Sequence, residues 1–142
     1  MTKQVKTSIN IQASRETIWN ILTDFEKFAE WNPFVKSLTG DVKVGNRIEV
    51  NLQGMTFKPK VLAFEEKSEF KWIGHLWVKG LFDGEHWFYL TENEDGTTHF
   101  EHSETFNGIL VPLFSKKLDT EIKAGFEEMN ARLKERAEKQ NV

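Results

Sequence analysis

The sequence contains no cysteine. This removes disulfides, thiolate nucleophiles and cysteine metal sites, and it fits a reducing compartment. Proline is scarce, with three residues against nine glycines in 142, and no Pro- or Gly-rich linker, repeat or low-complexity run divides the chain. An excess of one charge is also lacking: 19 Lys and Arg are interleaved with 22 Asp and Glu for a net charge of −3. No basic stripe is left to neutralise a run of phosphates, so nucleic acid is not an expected partner. No stretch approaches the roughly 20 apolar residues of a membrane span. Met1 to Gln12 alternates polar and apolar residues where a signal peptide would carry an apolar core. The expectation is a soluble, cytoplasmic protein whose residues 1–142 form one domain. A glycine-rich phosphate loop, a nucleophile elbow and a His-Glu-x-x-His helix are all missing, so no cofactor is implied. The oligomeric state is left open.

What is present is a long amphipathic stretch from Pro112 to Lys139, in which Leu118, Ile122, Phe126, Met129 and Leu133 recur every three or four residues. Gly125 interrupts that apolar face between Ile122 and Met129. Glycine costs about 1 kcal/mol relative to alanine within a helix, so a strand or a ligand is expected to come close there. A leucine at this position would then fill a ligand pocket.

The preceding chain is strand-rich. Val5, Thr7, Ile9 and Ile11 alternate in a first strand, and Ser14 is placed to cap a short helix carrying Ile18, Ile21 and Leu22. Asp24 can cap a second short helix that stops by Trp31, because Pro33 disfavours helical geometry at Asn32. Strands are then expected from Arg47 to Gln53, Met55 to Glu65, Glu69 to Leu76, Glu85 to Glu92 and Thr97 to Phe106. Pro59 marks a bulge or an edge, and Gly74 removes a side chain from the bulky face of Phe70, Trp72 and Leu76. Strands in succession without helical crossovers call for an antiparallel sheet. The apolar run from Ile109 to Phe114 is expected to pack against it.

Period-two alternation places Phe100, His102, Glu104 and Phe106 on one face of the last strand, opposite His99, Glu101, Ser103 and Thr105, which should be solvated. Across the hairpin His86, Phe88 and Leu90 form a matching mixed face. Ionisable groups on an apolar face need a partner or a purpose. His86, His102 and Glu104 therefore read as polar groups converging on an apolar cavity, or as a buried hydrogen-bonded set. A metal site needs three or four ligands at suitable distances, and two histidines with one carboxylate are the most this face offers, so no metal is expected. Trp31, Phe34, Trp77 and Phe82 stand beside Pro and Gly loop signals, where pocket rims are built. The candidate ligand contacts are His86, Phe88, Leu90, Phe100, His102, Glu104, Phe106 and Trp72 from the sheet, Gly125 and Met129 from the helix, and Trp31.

Nearly the whole chain resembles the SRPBCC superfamily of START-like helix-grip domains, and within it the polyketide cyclase/dehydrase-like bacterial proteins. The likeness is carried by Ile11-Gln12-Ala13-Ser14 followed by Ile18-Trp19, by Trp31-Asn32-Pro33-Phe34 and by Gly80-Leu81-Phe82-Asp83-Gly84-Glu85-His86. His102-Ser103-Glu104-Thr105-Phe106-Asn107-Gly108 and Gly125-Phe126-Glu127-Glu128-Met129-Asn130 complete it. The resemblance implies an α+β helix-grip fold: a curved antiparallel sheet of about seven strands, two short helices after the first strand, and a long C-terminal helix gripped by the sheet. It further implies a cavity for a small hydrophobic molecule that is lipid-like, polyketide-like or aromatic. The alternatives it carries are a cyclase/aromatase-like enzyme, with Glu104 and His102 as acid/base candidates, and an interaction module of the chaperone ATPase activator type using Ile109 to Phe114.

Overall fold

A computed structural model describes residues 2–52, 54–76 and 78–140. The first strand, β1 (Thr2–Ile11), buries Val5, Thr7 and Ile11 at alternate positions. Helix α1 (Arg15–Leu22) begins where the Ser14 hydroxyl accepts the Thr17 amide at 3.1 Å, and it buries Ile18, Trp19, Ile21 and Leu22. A single 3-10 turn leads into α2 (Phe28–Trp31). Asp24 makes no capping bond there. Instead Asn32 Oδ1 accepts the Phe34 and Val35 amides at 3.0 and 2.8 Å, so the chain turns sharply around Pro33 into the sheet.

Strands β2 (Val35–Thr39), β3 (Glu49–Leu52) and β4 (Met55–Phe57) form one antiparallel sheet. Strands β5 (Lys60–Glu65), β6 (Glu69–Leu76), β7 (Phe82–Glu92) and β8 (Thr98–Asn107) join β1 in a five-stranded sheet of order β1-β8-β7-β6-β5, antiparallel throughout. The strand expected from Met55 to Glu65 is thus two, which raises the count among the described residues to eight. Pro59 is the reason. It has no amide hydrogen for the ladder, so β4 pairs with β3 on one side of it and β5 with β6 on the other. The sheets remain linked by an Arg47–Lys60 bridge and by the Ile48 amide donating to the Pro59 carbonyl at 3.0 Å. Strand β7 starts at Phe82 rather than Glu85, because Gly84 pairs in register with Gly74.

The C-terminal helical stretch comprises α3 (Val111–Lys117), a π-helical turn (Leu118–Ile122) and α4 (Lys123–Lys139). Its stripe of Leu118, Phe126, Met129, Leu133 and Ala137 is buried against the large sheet, with Ile122 half-buried. No helix among the described residues is long and apolar enough to cross a membrane. Two details correct the expectations. Ile109 and Leu113 are 74% and 76% exposed, because the turn into α3 points only Val111 and Phe114 inward. Ser103, expected in solvent, is buried on the outer sheet face, where its cross-strand partners are Lys6 and Trp87.

The hinge between sheet and helix is Gly108, whose φ is +133°. A Cβ there would lie 2.3 Å from the Leu81 carbonyl oxygen, a backbone atom that cannot swing aside. Gly108→Ala is expected to lower stability by on the order of 2–3 kcal/mol, measured by urea denaturation.

Candidate functional site

Three cross-strand rows on the inner sheet face build the site. In the first, Gly74 of β6 faces Gly84 of β7, which faces Phe106 of β8. In the second, Trp72, His86 and Glu104 stand in line, and in the third, Phe70, Phe88, His102 and Thr7. The glycine row leaves the sheet bare, and the space above it is a cavity of about 550 Å³. Trp72, Leu76, Phe82 and Phe106 ring its floor. Val50, Leu52, Met55 and Phe57 of the small sheet and Leu118 and Ile122 of the π turn roof it. Phe34, Pro59 and Phe114 close its flanks. Among the described residues the ionisable side chains on its wall are Glu104 and, at the exposed rim, Lys117.

Behind Glu104 runs a continuous polar chain. Glu104 Oε1 lies 3.0 Å from His86 Nδ1, His86 Nε2 lies 2.7 Å from His102 Nε2, and His102 Nδ1 lies 3.0 Å from Asn130 Oδ1. The Asn130 amide donates to Thr7 Oγ1 at 2.8 Å, and that hydroxyl donates to the His102 carbonyl at 2.7 Å. Both imidazoles are fully buried. Trp72 stacks on His86 with centroids 4.7 Å apart, and Phe126 stacks on His102 at 4.0 Å.

The direction of every bond follows from the carbonyl end, since a carbonyl only accepts. The Thr7 proton must go to it, so the Thr7 oxygen must accept from the Asn130 NH2, and Asn130 Oδ1 must face His102. His102 Nδ1 therefore carries hydrogen. Burial, with His86 alongside, holds the His102 pKa well below its ordinary value, so this ring is neutral and its Nε2 is a bare acceptor. His86 Nε2 must then donate to it. One proton remains for the 3.0 Å contact between His86 Nδ1 and Glu104 Oε1. It sits either on the carboxyl or on the imidazole, at the inner edge of the cavity wall.

Of the residues singled out from sequence, the structure brings Trp72, Glu104 and Phe106, with the rim candidates Phe34 and Phe82, to the cavity wall. His86 and His102 lie one layer behind, reaching the cavity through Glu104. Phe88, Leu90, Phe100 and Met129 are fully buried core. Gly125 is half-buried and is not among the described residues that line the cavity. The wall is formed a turn earlier by Leu118 and Ile122, since the wider π turn carries that part of the helix over the glycine row. Trp31 borders a separate space of about 130 Å³ with Asn20, Asp24 and Arg136. Trp77 lies outside the described residues. Sequence reasoning missed Gly84, whose importance appears only from its register with Gly74. It also missed Asn130, a polar residue in the helical stripe that signals a buried partner. Among the described residues no group of three or more His, Asp or Glu side chains is placed to hold a metal ion.

Comparison with known proteins places this geometry. The model of the family described as "polyketide cyclase / dehydrase and lipid transport" matches residues 2–138. A hypothetical protein from Helicobacter pylori superposes with a TM-score of 0.81 at 14% identity, covering 95% of this chain and 88% of that one. A START superfamily protein from Mycobacterium smegmatis gives 0.73 at 21% identity, covering 96% and 98%. The di-domain ARO/CYC StfQ from the steffimycin biosynthetic pathway gives 0.78 at 14% identity over 99% of this chain and 52% of that one. These identities establish likeness of fold. No curated protein matches the sequence.

The neutral His102 has a pH signature. An unfolded histidine takes up a proton near pH 6.5, whereas the folded ring stays neutral. The unfolded state thus binds more protons below that value, and this contribution to stability, intact above pH 6.5, is lost as pH falls towards the depressed folded pKa. Unfolding free energy is expected to fall by about 1 kcal/mol between pH 7.5 and 5.5. Nitrogen-15 spectra of the imidazoles at pH 5.5 are expected to show His102 neutral with its proton on Nδ1.

Proposed function

The chain belongs to the polyketide cyclase/dehydrase and lipid transport family, and from that premise we propose that it binds a small hydrophobic ligand, lipid-like, polyketide-like or aromatic, in the cavity over the glycine row. The observation that carries this reading is the cavity itself. Protein interiors are packed to crystal-like density, yet here two strands omit their side chains at facing positions, and a space of about 550 Å³ opens above them. That volume lies within the range of small-molecule sites. Among the described residues its lining is apolar apart from Glu104 and Lys117, which fits a mostly hydrophobic guest oriented by a few polar contacts. Met55, 53% exposed at the hairpin between β3 and β4, and the exposed Lys117 mark the open side.

Acid–base catalysis on such a guest is a second reading, favoured by the 3.0 Å contact between Glu104 and His86 at the cavity wall. A general acid or base must reach the proton it moves and hold its own proton loosely. Glu104→Gln keeps a hydrogen bond to His86 but cannot exchange the proton. With a polyketide-like substrate this variant is expected to lose a hundredfold or more in turnover while retaining affinity. Unchanged turnover would remove Glu104 from any mechanism.

The binding reading is tested by filling the floor. A Cβ at Gly74 would meet only Pro59 Cβ, at 3.7 Å, so a leucine there projects into the cavity without disturbing backbone. Gly74→Leu is expected to weaken binding of N-phenyl-1-naphthylamine, followed by fluorescence, by roughly tenfold or more. The melting temperature should hold or rise, as cavity-filling changes commonly stabilise. Equal binding by both proteins would overturn the assignment.

A further inference from the structure

The polarity of the buried chain dictates which chemistry the cavity accepts. We propose that Glu104 Oε2 is a fixed hydrogen-bond acceptor and selects, among apolar guests, those carrying a hydroxyl or N–H donor. This rests on the reading of the cavity as a ligand site and goes beyond it by naming the functional group.

Glu104 contacts His86 through Oε1 alone, and Oε2 takes no hydrogen-bond partner among the described residues. Oε2 lies over Gly84, where a Cβ would come within 2.2 Å of it. Gly84 and Glu104 both line the cavity, so the missing methyl group lets this oxygen occupy the wall. When the shared proton is on Glu104 it bonds Oε1 to His86 Nδ1, leaving Oε2 as a carbonyl-type acceptor. When it is on His86, Glu104 is a carboxylate and Oε2 is again an acceptor. The result is the same in both arrangements because Thr7, Asn130 and His102 have already fixed the direction of every bond behind it. A donor on the guest completes the chain. An ether, a carbonyl or a carboxylate in the same place sets lone pair against lone pair. Thr7, Asn130 and His102 are thus positioning residues for a contact that only Glu104 makes.

The experiment measures binding of 2-naphthol, 2-methylnaphthalene and 2-methoxynaphthalene, which share an apolar body and differ in the donor, by calorimetry or by displacement of N-phenyl-1-naphthylamine. The wild-type protein is expected to bind 2-naphthol roughly tenfold or more tighter than the other two, the difference that one satisfied buried hydrogen bond makes. Glu104→Gln should keep that preference, since its amide NH2 can donate to His86 Nδ1 and leave the carbonyl towards the cavity. Glu104→Leu should abolish it. Gly84→Ala provides a variant that leaves Glu104 chemically intact: the added methyl displaces the flexible end of the side chain, and the preference should shrink while 2-methylnaphthalene still binds.

Equal affinities for the three probes in the wild type overturn the inference and leave the hydrophobic-site reading standing. A preference that survives in folded Glu104→Leu overturns it as well. Binding of none of the probes, N-phenyl-1-naphthylamine included, counts against the site itself and removes both.

Discussion

Two imidazoles buried side by side, nitrogen to nitrogen, set the terms for the rest of this molecule. Each ring is fully enclosed, and a polar group left unpaired in such a place destabilises by about 1–3 kcal/mol. Satisfaction of both requires contributions from β1, β7, β8 and α4: Thr7, His86, His102 with Glu104, and Asn130. Helix and sheet can meet these demands in only one register, since sliding α4 by a single residue would take Asn130 away from His102 and Thr7. Apolar burial of Phe126, Met129 and Leu133 supplies the attraction. The polar chain supplies the alignment.

The cavity is a consequence of that alignment together with an omission. Once α4 is fixed by Asn130, the helical segment before it must lie over Gly74 and Gly84, where no side chain rises to meet it. The π turn widens the helix there, and such turns are found preferentially at functional sites. The small sheet folds over from the other side, and its separation at Pro59 permits the angle. Packing is tight where the rows carry Trp72 and Phe88 and absent one row further along. The ionisable row lies on the boundary, so Glu104 is anchored in the core at one oxygen while the other takes no hydrogen-bond partner among the described residues.

Much of this was legible in the residues. Alternation put His86, His102 and Glu104 on the inner face, and spacing of three and four drew the helix stripe. Gly74 announced a gap in a bulky face. The parts that escaped depend on pairing between segments distant in sequence. Gly84 matters because register sets it opposite Gly74, and a chain read in order contains no register. The same limit affected Gly125, which reads as the obvious gap in the helix, while the π turn shifts the cavity-facing surface to Leu118 and Ile122. Pro59 signalled an irregularity, yet only the pairing of β4 and β5 with different neighbours shows that it divides a strand. Ile109 and Leu113 failed in a simpler way, because an apolar run at a turn cannot all face inward.

The single proton between Glu104 and His86 has an electrical consequence. Moving it from carboxyl to imidazole creates an ion pair from two neutral groups, yet the total charge is zero in both arrangements. The wall of the cavity can therefore change its dipole without drawing a proton from bulk water. A polar guest bound there would polarise the pair over one hydrogen-bond length, a local response largely insensitive to the screening that weakens exposed charges.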